Sequence, residues 1–393
     1  MRRAPDQSRW GGVLRRLRMD LRDHGIGVSV EYMRCAVVGG GINGVMSAWA
    51  LARRGHAVDL YERGELMSET SSASTKLIHG GLRYLEHGAF RLVRESLHER
   101  SAWLAAAPHL VKPLEITVPI YRWSRRPAWL VRCGLLLYDA LAGRAKLAPH
   151  KTLGLDQTLR KYPELRSDGL CGAFTFLDAQ MDDYALGMWA AVEAARSGVK
   201  MHTGTPVRAI SAGGEVCVDG SARKCDVVVN VAGPWAEELL KQSGISARHG
   251  LDLVRGSHLL LAIPAKHAFL VEVPEEERFC FLLPFRGDTL VGTTEVRQEL
   301  DRPIRCSEEE RSYLLSVYNR YLRPEATPTE IVRTFSGLRP LVRSHRLASR
   351  ATREYAIERN GHTITVFGGK WTTARALAER VAAIAEQLGP VNC

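Results

Sequence analysis

Apolar positions along this chain follow two periods, and the order in which they alternate predicts its elements. The first clean pattern begins at Met33, where "RCAVVGGG" sets a continuous apolar run ahead of glycines. Arg34 to Val38 reads as a buried strand, Gly44 to Arg54 as a helix of small residues, and "AVDLYE" as a second strand ending at Glu62. Together these form a βαβ unit. Helical spacing returns over about 89–107, and "PAWLVRCGLLLYDALAG" at 127–143 is a further apolar segment with Arg125, Arg126 and Arg144 at its flanks. Asp182 stands where it can cap a helix that Gly198 would stop. Strands and hairpins follow to about Asp226, then "VVVNVAGPW" reads as a buried strand ending in a turn. Short strands dominate from Asp252 to Gly292, which predicts a second, antiparallel-rich domain beside the α/β one. The chain closes on a hairpin strand, a glycine turn and a helix in "HTITVFGGKWTTARALAERVAAIAEQL".

Length agrees with that division, because 393 residues are too many for one simple core. Residues 1–32 are arginine-rich without a clean period, and are expected to be a disordered extension. The alternative is a basic membrane-surface segment, "RWGGVLRRLRMDLR". No apolar run approaches the roughly 20 residues of a membrane-spanning helix. The early arginines are not followed by the apolar stretch of a secretory signal. The net charge of +11 suits nucleic acid, an anionic membrane surface or acidic small molecules. Its basic residues are scattered among acidic ones without a nucleic-acid motif, so nucleic acid is not an expected partner. The eight cysteines contain no C-x-x-C, and no zinc spacing exists among Cys and His, so no metal site is expected. Cys217 and Cys225 can face each other across a hairpin, but reduced thiols in a cytoplasmic setting are the preferred reading.

Candidate chemistry starts at "GGGING". Gly39, Gly41 and Gly44 give G-x-G-x-x-G between a strand and a helix, with Ile42 and Asn43, also expected at the cofactor, between the second and third glycines. Such glycines permit a tight turn and close approach of a pyrophosphate to backbone N–H groups at the helix end. Glu62, ending the second strand, can accept hydrogen bonds from ribose hydroxyls. A nicotinamide enzyme would normally continue into a second αβ unit, but Glu62 leads into "TSSASTKLIHGGLRYLE" instead. Small residues at Ser71, Ser72 and Ser74 would let extended backbone lie against a flat isoalloxazine ring, so FAD is the expected cofactor. Arg83 follows directly and suggests an anion alongside.

"GGGINGV", "TSSASTKLIHGGLRYLE", "FLDAQMDDYAL", "NVAGPW", "RGSHLLL", "FLLPF", "VGTTEV", "SGLRPL" and "FGGKWTTARALAE" occur in one order from about Arg34 to the last helix. Together they resemble the FAD-dependent glycerol-3-phosphate dehydrogenases, within the D-amino-acid-oxidase-like flavoprotein fold. The resemblance implies an α/β fold in which a Rossmann-like FAD domain (33–115, 170–247 and 331–393) interleaves with a mixed, antiparallel-rich α+β substrate domain (116–169 and 248–330). It implies oxidation of sn-glycerol 3-phosphate to dihydroxyacetone phosphate, with hydride passing to flavin N5. Arg83, Arg339, Arg353 and Lys370 would clamp the phosphate. Tyr84 would pack on the substrate or serve as ordinary core.

His258 is the expected base, with Arg339 and Lys370 beside it in catalysis. His79 is the competitor, expected to lie along the flavin. Further cofactor residues implied are Arg63, Thr70, Lys76, Leu77, Gly80, Gly81, Val207, Ala232, Gly233 and Thr372. Gly368, Gly369 and Lys370, expected at the start of the last helix, would stabilise negative charge on the reduced flavin.

Quinone is the implied acceptor, with oxygen serving in related oxidases. The 127–143 segment can then lie at the inner face of the cytoplasmic membrane, or pack on the substrate domain. A homo-oligomer is also compatible. Two departures stand out: the family continues into a helical C-terminal domain where this chain stops, and its "GTTD" reads "GTTE" at Glu295. The alternatives are another anionic hydroxy or amino substrate with oxygen as acceptor, and a non-catalytic FAD-binding scaffold.

Overall fold

The computed structural model describes residues 32–343 and 355–391. Arg353 and all but the last residue of the expected extension lie outside these. Two large sheets organise the described residues. The first runs Ala356–Asn360, Thr363–Phe367, Val227–Asn230, Arg34–Val38, Ala57–Tyr61, Lys200–His202 in spatial order. Its strands are parallel apart from the first, which pairs antiparallel with its neighbour. Parallel strands covered on both faces read as continuous apolar runs, which is why "CAVV" and "VVV" show no alternation.

Alternate side chains serve different cores. Val37, Val227 and Val229 join the helices Ile42–Arg53, Asp183–Arg196 and Ala374–Leu388 on one side. Ala36, Val38 and Val228 join the helix Ala236–Gln242 and the 207–224 hairpin strands on the other. Each fully buried valine or leucine contributes about 1.5–3 kcal/mol to holding these layers together. Asp182 caps the Asp183–Arg196 helix as expected, its Oδ1 accepting the Ala185 N–H at 3.1 Å, and Gly198 follows at φ +100°.

The second sheet has ten strands. Leu251–Leu261 lies between Asp288–Gly292 and Val296–Arg297 and also pairs antiparallel with Ile331–Val342. Val111–Tyr121 and Leu170–Met181 pair along most of their length. Three expected domain boundaries therefore do not follow the sheets. The boundary after 115 falls inside a strand, and 170–181 and 331–342, expected with the cofactor half, belong to the second sheet. The alternation of a strand shows which face is buried but not which sheet it joins, since that depends on a partner distant in sequence.

The 127–143 segment is a helix, Ala128–Ala142, and its apolar residues divide between two environments. Leu135, Tyr138 and Ala142 pack in a core with Val93, Leu97, Phe174 and Phe176. Trp129, Leu130, Leu136 and Leu137 face outward, 66%, 41%, 52% and 38% exposed. Among the described residues no helix is long and apolar enough to cross a membrane. The last helix begins at Ala374, so Gly368–Lys370 lie on a turn ahead of it rather than in its first turn. Cys217 stands opposite Ala222 in the hairpin, and every described cysteine is a free thiol.

Candidate functional site

The site begins where the central strand Arg34–Val38 ends. Gly39 adopts φ +114°, and a Cβ there would stand 2.6 Å from the Val231 carbonyl oxygen. A Cβ on Gly44 would stand 1.8 Å from the Gly39 oxygen, so this glycine serves helix–turn packing rather than ligand contact. Beside the turn opens a cavity of about 640 Å³. Gly39, Gly41, Ile42, Asn43, Glu62 and Arg63 line it from the βαβ unit, and Thr70 and Ser71 from the segment that follows. Val207, Ala232, Gly233, Gly368, Gly369 and Lys370 line it from later in the chain.

These residues fit a dinucleotide. The Ile42–Arg53 helix carries no side-chain cap of its own, and its first N–H donates to Ser71 Oγ at 3.0 Å. Asn43 Oδ1 is buried with no hydrogen-bond partner among the described residues. Glu62 accepts the Gly40 N–H at 2.6 Å and the Gly64 N–H at 2.8 Å, which fixes the carboxylate at the turn with acceptor capacity remaining. Arg63 stacks on Trp235 at 3.7 Å. Gly41→Val should therefore yield protein without FAD, because the branched side chain fills the path beside Ser71, where even a Cβ stands 3.0 Å from Oγ. Flavin absorbance per polypeptide checks this, and a variant as yellow as the parent would show that the turn does not face the cofactor.

Several expected cofactor residues are held in place by hydrogen bonds or packing within the chain. Ser74 donates to Asp183 Oδ2 from Oγ at 2.7 Å and from its N–H at 3.1 Å. Lys76 Nζ donates to Asp183 Oδ1 and to the Ser72 carbonyl, both at 2.7 Å. Burial pushes the Lys76 ammonium below its ordinary pKa, against the opposing pull of Asp183. Leu77 is buried in the core. Gly80 N–H donates to Tyr138 OH at 2.9 Å and to Asp178 Oδ1 at 3.2 Å, and Asp178 is paired with buried Arg100 at 2.7 Å. His79 N–H donates to Thr372 Oγ1 at 3.3 Å. With Gly81 at φ +80°, this network fixes the turn that presents Arg83 and Tyr84.

The second half of the site is one face of the larger sheet. His258 stands opposite Phe335 and Gly292, and Gly256 opposite Gly337. The His258 and Phe335 rings stack at 4.7 Å. Glycines make room here: a Cβ on Gly292 would stand 2.0 Å from the His258 ring, and one on Gly256 would stand 1.9 Å from Arg339 Nη2. The small residues at 70–75 cross this face. Ala73 packs over Gly337, Thr70 Oγ1 donates to the Leu338 carbonyl at 2.7 Å, and Thr75 Oγ1 lies 3.0 Å from His258 Nε2. Burial, followed by the Arg339 and Lys76 charges, pushes the imidazole pKa well below its usual range. His258 Nδ1 is buried without a hydrogen-bond partner among the described residues.

Cations converge on the same face. Arg339 Nη2 donates to Thr293 Oγ1 at 2.7 Å and to the Thr294 carbonyl at 3.0 Å. Arg339 Nη1 and Arg83 Nη1 approach one oxygen of Glu295, at 3.5 and 3.6 Å. Lys370 Nζ lies 4.0 Å from the Tyr84 ring centroid. His79 sits among aromatic rings, with centroids 6.5 Å from Tyr84 and 6.3 Å from Phe281. The structure thus groups Arg83, Tyr84, Arg339 and Lys370 around one region, with His258 on the Arg339 face. Sequence reasoning missed Thr75, Thr293, Phe335 and the close-contact glycines Gly256, Gly292 and Gly337. For Phe335 and Gly337 the signal was their period-2 spacing with Arg339 on a strand.

A glycine turn with a fixed acid, joined through Thr70 and Lys370 to a sheet face that carries a buried histidine and clustered arginines, defines a dinucleotide-dependent oxidoreductase site. Residues 34–384 match the family model described as FAD dependent oxidoreductase, and the chain belongs to that family. It is 39% identical over 382 residues to a glycerol-3-phosphate dehydrogenase of Pseudomonas tolaasii, covering 92% of this chain and 72% of that one. It is also 39% identical over 365 residues to D-erythritol 1-phosphate dehydrogenase of Brucella abortus, covering 88% and 72%. The structure of glycerol-3-phosphate dehydrogenase from Bacillus halodurans with FAD superposes with a TM-score of 0.71 at 26% identity, over 91% of this chain and 65% of that one. FAD is accordingly the cofactor, and the cavity at the glycine turn has the lining to hold it.

Proposed function

We propose that this chain oxidises the secondary alcohol of sn-glycerol 3-phosphate to dihydroxyacetone phosphate. The observation that carries the reading is the convergence of Arg83 and Arg339, on the sheet face that also presents His258. Bound FAD supplies the hydride acceptor. Arg83 and Arg339 bind the phosphate, where planar guanidinium groups match two oxygens at once. Lys370, beside Tyr84, adds positive charge at the same end. His258 takes the hydroxyl proton. In the tautomer whose Nε2–H donates to Thr75 Oγ1, Nδ1 carries the lone pair for this proton. Phe335 and Thr75 fix the ring plane.

The Brucella abortus relative, at the same identity as the Pseudomonas one, supports a second reading: a phosphorylated polyol one carbon longer. Dye reduction with glycerol 3-phosphate, D-erythritol 1-phosphate, glycerol and a 2-hydroxy acid separates the readings. The first requires the highest kcat/KM with glycerol 3-phosphate, and activity confined to the 2-hydroxy acid would refute both.

Quinone as electron acceptor is supported by the outward apolar face of the Ala128–Ala142 helix and by the chain's net charge of +11. A helix of this kind can lie in an anionic membrane interface. Replacing Leu136 and Leu137 with serine should lower co-sedimentation with anionic vesicles several-fold without loss of fold, since both are exposed. Leu135 belongs to the core, so Leu135→Ser should cost about 2–5 kcal/mol of stability instead. Binding should weaken as salt rises, because exposed charges are screened beyond about 8–10 Å at physiological ionic strength. Rapid turnover with oxygen and no vesicle binding at any salt concentration would point to oxygen as the acceptor.

A further inference from the structure

We infer that Glu295 determines the specificity of the anion site: its carboxylate competes internally for the Arg83–Arg339 pair, and a phosphate dianion displaces it where a carboxylate monoanion does not. The inference rests on the reading of that pair as the phosphate site. Both guanidinium groups approach the same oxygen, Oε1, so this carboxylate lies between them. The Glu295 side chain is only 10% exposed and the arginines about 20%, which leaves these charges poorly screened by water and salt.

The backbone leading to Glu295 is tied down. Thr294 Oγ1 donates to Glu310 Oε1 at 2.6 Å and accepts the Ser257 N–H at 2.8 Å. Ser257 Oγ also donates to Glu310, at 2.9 Å, and Arg255 pairs with it at 2.9 Å. With residue 294 fixed, the length of the next side chain decides how far its carboxylate reaches. Glutamate reaches the arginines, and aspartate would hold its carboxylate one methylene further back.

The consequence is a threshold of charge. A 2-hydroxy carboxylate that enters merely exchanges one carboxylate for another, and gains little. A phosphate brings up to two negative charges and three acceptor oxygens, and outcompetes the resident group. Glu295 thereby rejects hydroxy and amino acids while keeping the arginines aligned for phosphate.

The test is calorimetric binding to the FAD-loaded protein, with inorganic phosphate, glycerol 3-phosphate and glycerate as probes. Glu295→Gln should bind inorganic phosphate roughly tenfold tighter than the parent, and should gain measurable glycerate binding. Glu295→Asp, which keeps the charge, should lie between them and serves as the test if the glutamine variant does not fold. Weaker or unchanged phosphate binding in both variants, with no gain of glycerate, would overturn the inference and leave Glu295 as a brace for the arginines. Arg339→Ala separates this from failure of the site reading. If that variant binds glycerol 3-phosphate as the parent does, the arginine pair is not the phosphate site and both fall. If it loses binding while Glu295→Gln changes nothing, only the inference falls.

Discussion

Arg339→Ala should lower kcat/KM for glycerol 3-phosphate by about 2–4 kcal/mol of transition-state binding, roughly 30- to 1000-fold, while glycerol turnover changes little. The guanidinium is assigned to the phosphate, which glycerol lacks. Its position is built into the sheet: Gly256 leaves the space it crosses, and Thr293 and Thr294 hold one nitrogen from the side. A substitution therefore removes a placed charge rather than a mobile one. Steady-state kinetics with both alcohols decide the matter. Equal losses would show that Arg339 supports the flavin or the fold. Flavin content per polypeptide should remain at the parent level, since Arg339 does not line the cofactor cavity.

His258→Gln should reduce kcat by about 100- to 10,000-fold, the range associated with loss of a positioned base. Bound flavin should be retained, which distinguishes a chemical role from a structural one. The pH dependence of stability gives a second readout. Burial and the nearby Arg339 and Lys76 charges hold the folded imidazole pKa below its unfolded value. The unfolded chain therefore binds the extra proton first, as pH falls through about 6.5. The contribution of this histidine is present above that value and lost below it. Thermal unfolding of the parent should fall more steeply with acidification than that of His258→Gln. Parallel curves would mean that the ring is not held neutral.

The parts of this site legible in the sequence are local ones. The glycine turn, Glu62 and the Asp182 cap each lie within one strand–turn–helix unit, where a few residues dictate the backbone. What escaped were pairings made across the chain. Ser74 reads as one small residue of the flavin bed and Lys76 as a cofactor contact, but nothing local shows that both bond Asp183, more than a hundred residues away. Thr75 reads as one more small hydroxyl until the sheet brings His258 against it. The strands Leu170–Met181 and Ile331–Val342 alternate correctly for either sheet, and only their partners show which one they join. The 127–143 segment is apolar throughout, but its division into a buried and an outward face depends on the surface it packs against. Glu295 was visible as a one-methylene departure from the resembled motif. That it stands between Arg83 and Arg339 follows only from the fold.

Anaerobic titration of the FAD-loaded protein with glycerol 3-phosphate tests the central assignment most directly. The oxidised flavin absorbance should bleach on adding substrate, with one dihydroxyacetone phosphate formed per flavin reduced. Glycerol at the same concentration should leave the spectrum unchanged. A flavin that dithionite reduces but that neither glycerol 3-phosphate nor D-erythritol 1-phosphate bleaches would contradict the assignment of this site to phosphorylated polyols.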